Sequence, residues 1–199
     1  MTLRLSYLAA MLLLVGCADD YTPVSFWAEG DQIVASGTID HTTLSAFEEV
    51  IDENPGIKTL VLQNIGGSVD DDANVVFSRV VREEGFDTVV PSNGLVASGG
   101  TDLFLAGNRR VLEPGACVGV HSWGGGGYIA AELPEGHPEH DRYLDYFDDI
   151  GVDPDFYWFT LDAASEDEMH WMTASEANRY DMTTRSAPRL GTAAICDER

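Results

Sequence analysis

Ser98 and His121, 23 residues apart, are the pair in this sequence whose types and surroundings suit covalent chemistry. A hydroxyl beside an imidazole is a nucleophile beside a base. Ser98 follows the extended apolar lead-in Leu95-Val96-Ala97 and opens the helical run Gly99-Gly100-Thr101-Asp102-Leu103-Phe104-Leu105. The free amides of a helix start favour negative charge, so a serine there stands where an oxyanion could be held. The run Ala116–Val120 reads as a buried strand that delivers His121 to a sheet edge. A third piece, Gly66-Gly67, follows the apolar strand 57–62, and glycines there let backbone approach a ligand closely.

The elements that must position these groups alternate. A hairpin (24–27 and 33–37, turning at Gly30) precedes a helix with Leu44, Phe47, Val50 and Ile51 at helical spacing, for which Asp40 is the expected cap. After the strand 57–62, Asp70-Asp71-Asp72 open an amphipathic helix through Val76, Phe77, Val80 and Val81. Carboxylates in a first turn are favoured by the helix dipole, so these three read as capping and not as a metal cluster. Strand 86–91 and the serine strand follow. The alternation predicts an α/β fold with a largely parallel sheet flanked by helices, whose C-terminal strand ends share one crevice. Gly67, Ser98 and His121 would meet there. Beyond His121, the glycine run 124–127 reads either as a lip over the crevice or as a surface loop. Helices are expected at 137–150, from Asp153-Pro154 towards Asp162, and at 173–180, where Thr173 and Glu176 make a capping box. A short strand and a tail end the reading. His41, His137, His140 and His170 read as surface or cap residues.

Composition narrows the function. The chain of 199 residues carries a net charge of −23, and fits one domain. So acidic a surface repels phosphate backbones, which argues against nucleic-acid or coenzyme A partners. Arg4, the apolar run Leu8–Val15 and Gly16 before Cys17 have the form of a secretory signal, and Leu14-Val15-Gly16-Cys17 resembles the lipobox of bacterial lipoproteins. This resemblance implies a signal peptide over 1–16, a lipid-bearing Cys17 with a short tether 17–23, and a periplasm-facing place in the cell envelope, on the inner or outer membrane. Cys117 and Cys196 are then left in an oxidising compartment, either as a disulfide or as two buried thiols. No spacing suggests a metal site or a cofactor.

The GxSxG elbow is absent, since position 96 is Val, and the one lysine, Lys58, starts a strand at the end away from the crevice. Histidine remains as the base. Gly66-Gly67-Ser68-Val69, then Ala97-Ser98-Gly99-Gly100 through Gly107 to Arg110, then His121, resemble the proteolytic subunit of Clp protease and its periplasmic relatives in the ClpP/crotonase superfamily. The resemblance covers roughly residues 57–183 of a domain read as 24–187, followed by a tail 188–199, and implies repeated β-β-α units. It implies Ser98 as nucleophile, His121 as base, Gly66, Gly67 and Gly99 as oxyanion and substrate-binding positions, and a peptide or protein substrate. A homo-oligomer stays open. The family's methionine after the nucleophile is Gly99 here. Counting to the family's acid lands on Ser165, leaving Asp162 or Asp167 to take that role. Three readings result: an exported, membrane-anchored serine hydrolase, a peptidase; a non-catalytic peptide- or protein-binding lipoprotein on the same fold; and an acyl-CoA enzyme of the crotonase branch, which the acidity disfavours.

Overall fold

A computed structural model describes residues 21–199. The signal segment and Cys17 lie outside the described residues. Strands β1 (Ser25–Glu29) and β2 (Gln32–Ser36) form the antiparallel hairpin around Gly30. Helix α1 (Thr43–Glu53) follows, and Asp40 stands two residues ahead of its cap Thr42, accepting from the Thr42 amide at 2.8 Å and its hydroxyl at 2.7 Å. The carboxylate thus organises the turn into the helix instead of capping it. Strand β3 (Thr59–Ile65) leads through the glycine loop to α2 (Asp71–Glu83), whose N-cap Asp70 accepts from the Ala73 amide at 2.9 Å.

The sheet then divides. On one side β3 pairs with β2; on the other its first half pairs with β4 (Asp87–Val90) and its last residues with β5 (Leu95–Ala97). Pro91 to Gly94 separate β4 from β5, and Gly94 packs against the Pro91 ring too closely for any side chain. After α3 (Gly99–Leu105) the division repeats: β6 (Arg110–Leu112) lies on β4, and β7 (Cys117–Val120) on β5. All these pairings are parallel. Strand β10 (His170–Trp171) closes the β5–β7 branch antiparallel. The result is a mixed α/β fold on a largely parallel, branched sheet flanked by helices.

The glycine run makes a small hairpin, β8 (Gly124–Gly125) with β9 (Tyr128–Ile129), set apart from the main sheet. Two helices then roof the crevice. In α4 (Asp141–Ile150) the buried Tyr143, Tyr146, Phe147 and Ile150 recur on one face, and Gly151 at φ 72° ends the helix in the left-handed conformation. Pro154 opens α5 (Pro154–Ala163), with Asp153 accepting from the Asp155 amide at 2.9 Å. Under the sheet, Phe47 meets Phe77 and Phe86 edge-on, both at 5.1 Å between ring centres, which ties α1 and α2 to β4. Helix α6 (Ala174–Arg179) carries the expected capping box.

Two expectations are corrected here. Among the described residues no strand follows α6; the tail instead ends in α7 (Ala193–Cys196), bonded through Cys196 to Cys117 at 2.02 Å between sulfurs. His140 is not at the surface: it holds the N-cap position of α4 without a capping hydrogen bond and is fully buried, its Nδ1 2.6 Å from the Tyr157 hydroxyl. It continues the apolar stripe of α4 one turn back from Tyr143 and Leu144, and so faces inward.

Candidate active site

Register brings the three sequence-distant pieces together. Ile65 is paired with Val96, and Ala97 with Gly119. Extending both pairs beyond the strands sets Gly67 beside Ser98 and brings His121 to nearly the same level on the next strand. A Cβ on Gly67 would lie 3.4 Å from Ser98 Cβ and 3.7 Å from its Oγ, so this glycine is the position where backbone reaches the serine. Ser98, Gly99 and His121 line one cleft of about 670 Å³, open mouth included.

Ser98 is held in an unusual conformation, φ 51° and ψ −129°. A non-glycine residue there costs roughly 1–3 kcal/mol and persists only where its neighbours impose it. They do: the Ser98 amide donates to Gly119 O at 3.1 Å, and the Thr101 hydroxyl, one helical turn on, donates to the same oxygen at 2.8 Å. The turn lifts the serine off the end of β5 and starts α3. Among the described residues neither the Gly67 nor the Gly99 amide makes a hydrogen bond, so both N–H groups are free to donate. At Gly99 a Cβ would stand 2.5 Å from Ser68 Oγ and 2.8 Å from Asn74 Nδ2; the space where the Clp subunit has methionine is filled here by α2 and its loop. Gly66 faces open space and touches nothing a side chain would disturb.

His121 enters the cleft at the end of β7, but its Nδ1 is buried without a hydrogen-bond partner. Neither Asp162 nor Asp167 supplies one. Both are exposed, and helical phase explains Asp162: Thr160 of α5 lines the cleft, and two residues further on a helix points roughly 200° away. Ser165 bonds Glu168 instead. No direct hydrogen bond joins the Ser98 hydroxyl to the imidazole among the described residues, a looseness common before substrate binds. Lys58 pairs with Glu84 at 3.1 Å, outside the cleft.

Two carboxylates that sequence reasoning assigned no chemistry line the cleft. Asp71 turns inward, accepting from Ser68 Oγ at 2.5 Å and from the Tyr143 hydroxyl at 2.6 Å. Only its neighbour Asp70 is the cap. Asp102 stands one turn along α3 from Ser98, and burial, then the charge of Asp71, pushes its carboxyl up to about 8. The tyrosines beside them respond in kind: burial, then Asp71, raises the Tyr143 hydroxyl, and burial pushes Tyr157 up to about 12 against the Trp123 indole N–H that it accepts at 2.9 Å. Among the described residues no group of three or more His, Cys, Asp or Glu is placed to hold a metal.

No protein-family model matches the sequence, and no curated protein matches it. Solved structures do. The 1510-N membrane-bound stomatin-specific protease, as a mutant in complex with a substrate peptide, superimposes with a TM-score of 0.51 over 81% of this chain and 73% of its own, at 16% identity. The chain has a ClpP/crotonase-like fold. Methylmalonyl CoA decarboxylase shares it at a TM-score of 0.52 and 10% identity, over 90% of this chain and 71% of that one. Pseudomonas aeruginosa PA4980 does so at 0.50 and 15%, over 91% and 82%. In this ClpP/crotonase-like chain, the three loops that carry Gly67, Ser98 and His121 leave adjacent parallel strands β3, β5 and β7 in the same direction.

Proposed function

We propose that this chain is a serine hydrolase, acting as a peptidase, with Ser98 as nucleophile and His121 as general base. The observation that carries the reading is Ser98 itself: a strained φ-positive serine at a strand-to-helix turn, with the unbonded Gly99 amide and an imidazole in the same cleft and the unbonded Gly67 amide on the backbone that reaches the serine. In the reaction Ser98 Oγ adds to the acyl carbon while its proton passes to His121 Nε2. The Gly67 and Gly99 amides hold the oxyanion, each worth roughly 10²–10³ in rate. Collapse expels the amine, which takes the proton from the imidazole. Water, deprotonated by the same ring, then frees the acyl group from Ser98. Without a carboxylate at Nδ1 this is a pair and not a triad, and loss of that acid costs about 10⁴ in turnover where it has been removed from a triad.

The protease among the fold neighbours, determined with a substrate peptide, supports the peptidase class. The acyl-CoA reading, which the decarboxylase neighbour raises, is opposed by a cleft lined by Asp71 and Asp102 and by no lysine or arginine. The unpartnered Nδ1 of His121 favours a second reading, a peptide-binding protein that has kept the cleft without turnover. A fluorophosphonate probe decides between the two. Covalent labelling of the wild-type chain, lost in Ser98→Ala and slowed at least a hundredfold in His121→Ala, supports the hydrolase; no adduct on wild type, or an equal one on Ser98→Ala, refutes it.

Export and a lipid anchor on Cys17 belong to the same proposal. The Cys117–Cys196 bond supports an oxidising compartment. Among the described residues no helix is long and apolar enough to cross a membrane. Replacing Cys17 by serine should move the chain from the membrane fraction to the soluble one.

A further inference from the structure

Asp102 is a half-buried residue of the cleft wall whose carboxyl makes no hydrogen bond to any described residue. A buried carboxyl in that condition is either neutral or matched by a cation. Its position is specific: four residues along α3 from Ser98, it lies on the same helix face as the nucleophile. Asp71 lines the same cleft from α2, already fixed by Ser68 and Tyr143. No lysine or arginine side chain lines the cleft. Arg142, the cation of α4 near Asp71, instead donates to the exposed Asp72 at 2.9 Å and lies over the Tyr143 ring. Trp123, Tyr143 and Tyr157 line the same cleft, Tyr143 stacked on Tyr157 at 5.5 Å and on Trp123 at 5.6 Å. An aromatic wall of this kind suits the apolar stem of a lysine or arginine side chain whose charged end meets the acids.

We propose that Asp102 and Asp71 form a cation-binding floor beside Ser98, so that the preferred substrate carries lysine or arginine on the acyl side of the bond to be cut. This deepens the hydrolase reading and rests on Ser98 for the cutting, but not for the binding. The groups facing Asp102 agree with it: Asp71 from α2, Tyr143 and Tyr146 from α4, Tyr157 from α5, and His121 beyond β7. Burial and Asp71 keep Asp102 protonated in the empty cleft at neutral pH. A bound cation reverses that balance and releases the proton, so cation preference rises with pH up to and past 8.

Equilibrium binding of benzamidine, against its neutral isostere benzamide, tests this on the Ser98→Ala chain, with Trp123 in the wall as the fluorescent reporter. Benzamidine should bind at least tenfold tighter than benzamide, by a wider margin at pH 9 than at pH 6, and Asp102→Asn should bring the ratio close to one. Equal binding of the two compounds, or an unchanged ratio in Asp102→Asn, overturns the proposal, and the first comparison needs no variant at Asp102 to fold. On the wild-type chain, a lysine diphenyl phosphonate should label at least tenfold faster than its leucine counterpart. Absence of any phosphonate or fluorophosphonate adduct while benzamidine still binds selectively would refute the nucleophile and leave the cation site standing. Adduct formation without benzamidine selectivity would do the reverse.

Discussion

Asp102→Asn should alter the pH dependence of stability in a way that can be worked from the site. Burial and the neighbouring Asp71 raise this carboxyl from 3.8 to about 8 in the folded chain. Below pH 4 it is protonated in both states and contributes fully. As pH rises, the unfolded chain loses this proton while the folded chain retains it; folding then takes up a proton, and stability falls until the folded group ionises near pH 8. At 1.36 kcal/mol per pH unit over about four units, the loss is on the order of 5 kcal/mol, and water entering the cleft lowers it to roughly 2–5 kcal/mol. Asparagine has no such dependence. Urea unfolding of both chains at pH 5 and pH 8, with the disulfide intact, isolates the effect, because the other titrating groups are common to both. Part of the loss is already complete at pH 5, so between these two pH values the gap should shift by roughly 1.5–3.5 kcal/mol in favour of Asp102→Asn at the higher pH. Parallel profiles from pH 5 to 8 would show that Asp102 ionises freely in the folded chain and would refute the account of its burial.

Relief of the backbone strain at Ser98 gives a second expectation: Ser98→Gly should stabilise the chain by about 1 kcal/mol in chemical denaturation while abolishing fluorophosphonate labelling, whereas Ser98→Ala abolishes labelling without that gain. Gly100→Ala should cost more than 3 kcal/mol, since its Cβ would fall 2.1 Å from the Ile65 carbonyl oxygen where α3 crosses β3; a stable variant would mean the helix can slide. Reducing the bond between Cys117 and Cys196, which are separated by 79 positions, should lower stability by about 4.5 kcal/mol on the loop-entropy estimate, read as a drop in the urea midpoint; an unchanged midpoint would count against the bridge as a constraint.

What could be read in the sequence was whatever depends on strand ends. Gly67, Ser98 and His121 each follow an apolar run, and parallel strands send their ends to one edge whatever their exact register. The branching of the sheet could not be read, because it depends on a break at Pro91–Gly94 that looks like any turn. Asp71 was missed for a subtler reason: the dipole argument is right for Asp70, and the next residue is rotated by about 100°, enough to move from capping to cleft. The signal for Asp102 was present as its four-residue spacing from Ser98. Asp162 fails on the same phase argument, because Thr160 already occupies the inward side of α5. His140 holds a cap position but not a surface one, because it lies three residues before Tyr143 and seven before Phe147, on the buried stripe.

The cross-link at Cys117 sits at the head of the strand that ends beside His121, and its other half comes 79 residues later in the chain. A ribosome must therefore complete most of the second half of the protein before that strand can be cross-linked. Until then His121 stands on a segment held by the hydrogen bonds and core packing of its neighbours alone, so the covalent tie at the head of that strand waits on the oxidation that follows translocation in the exported form proposed here.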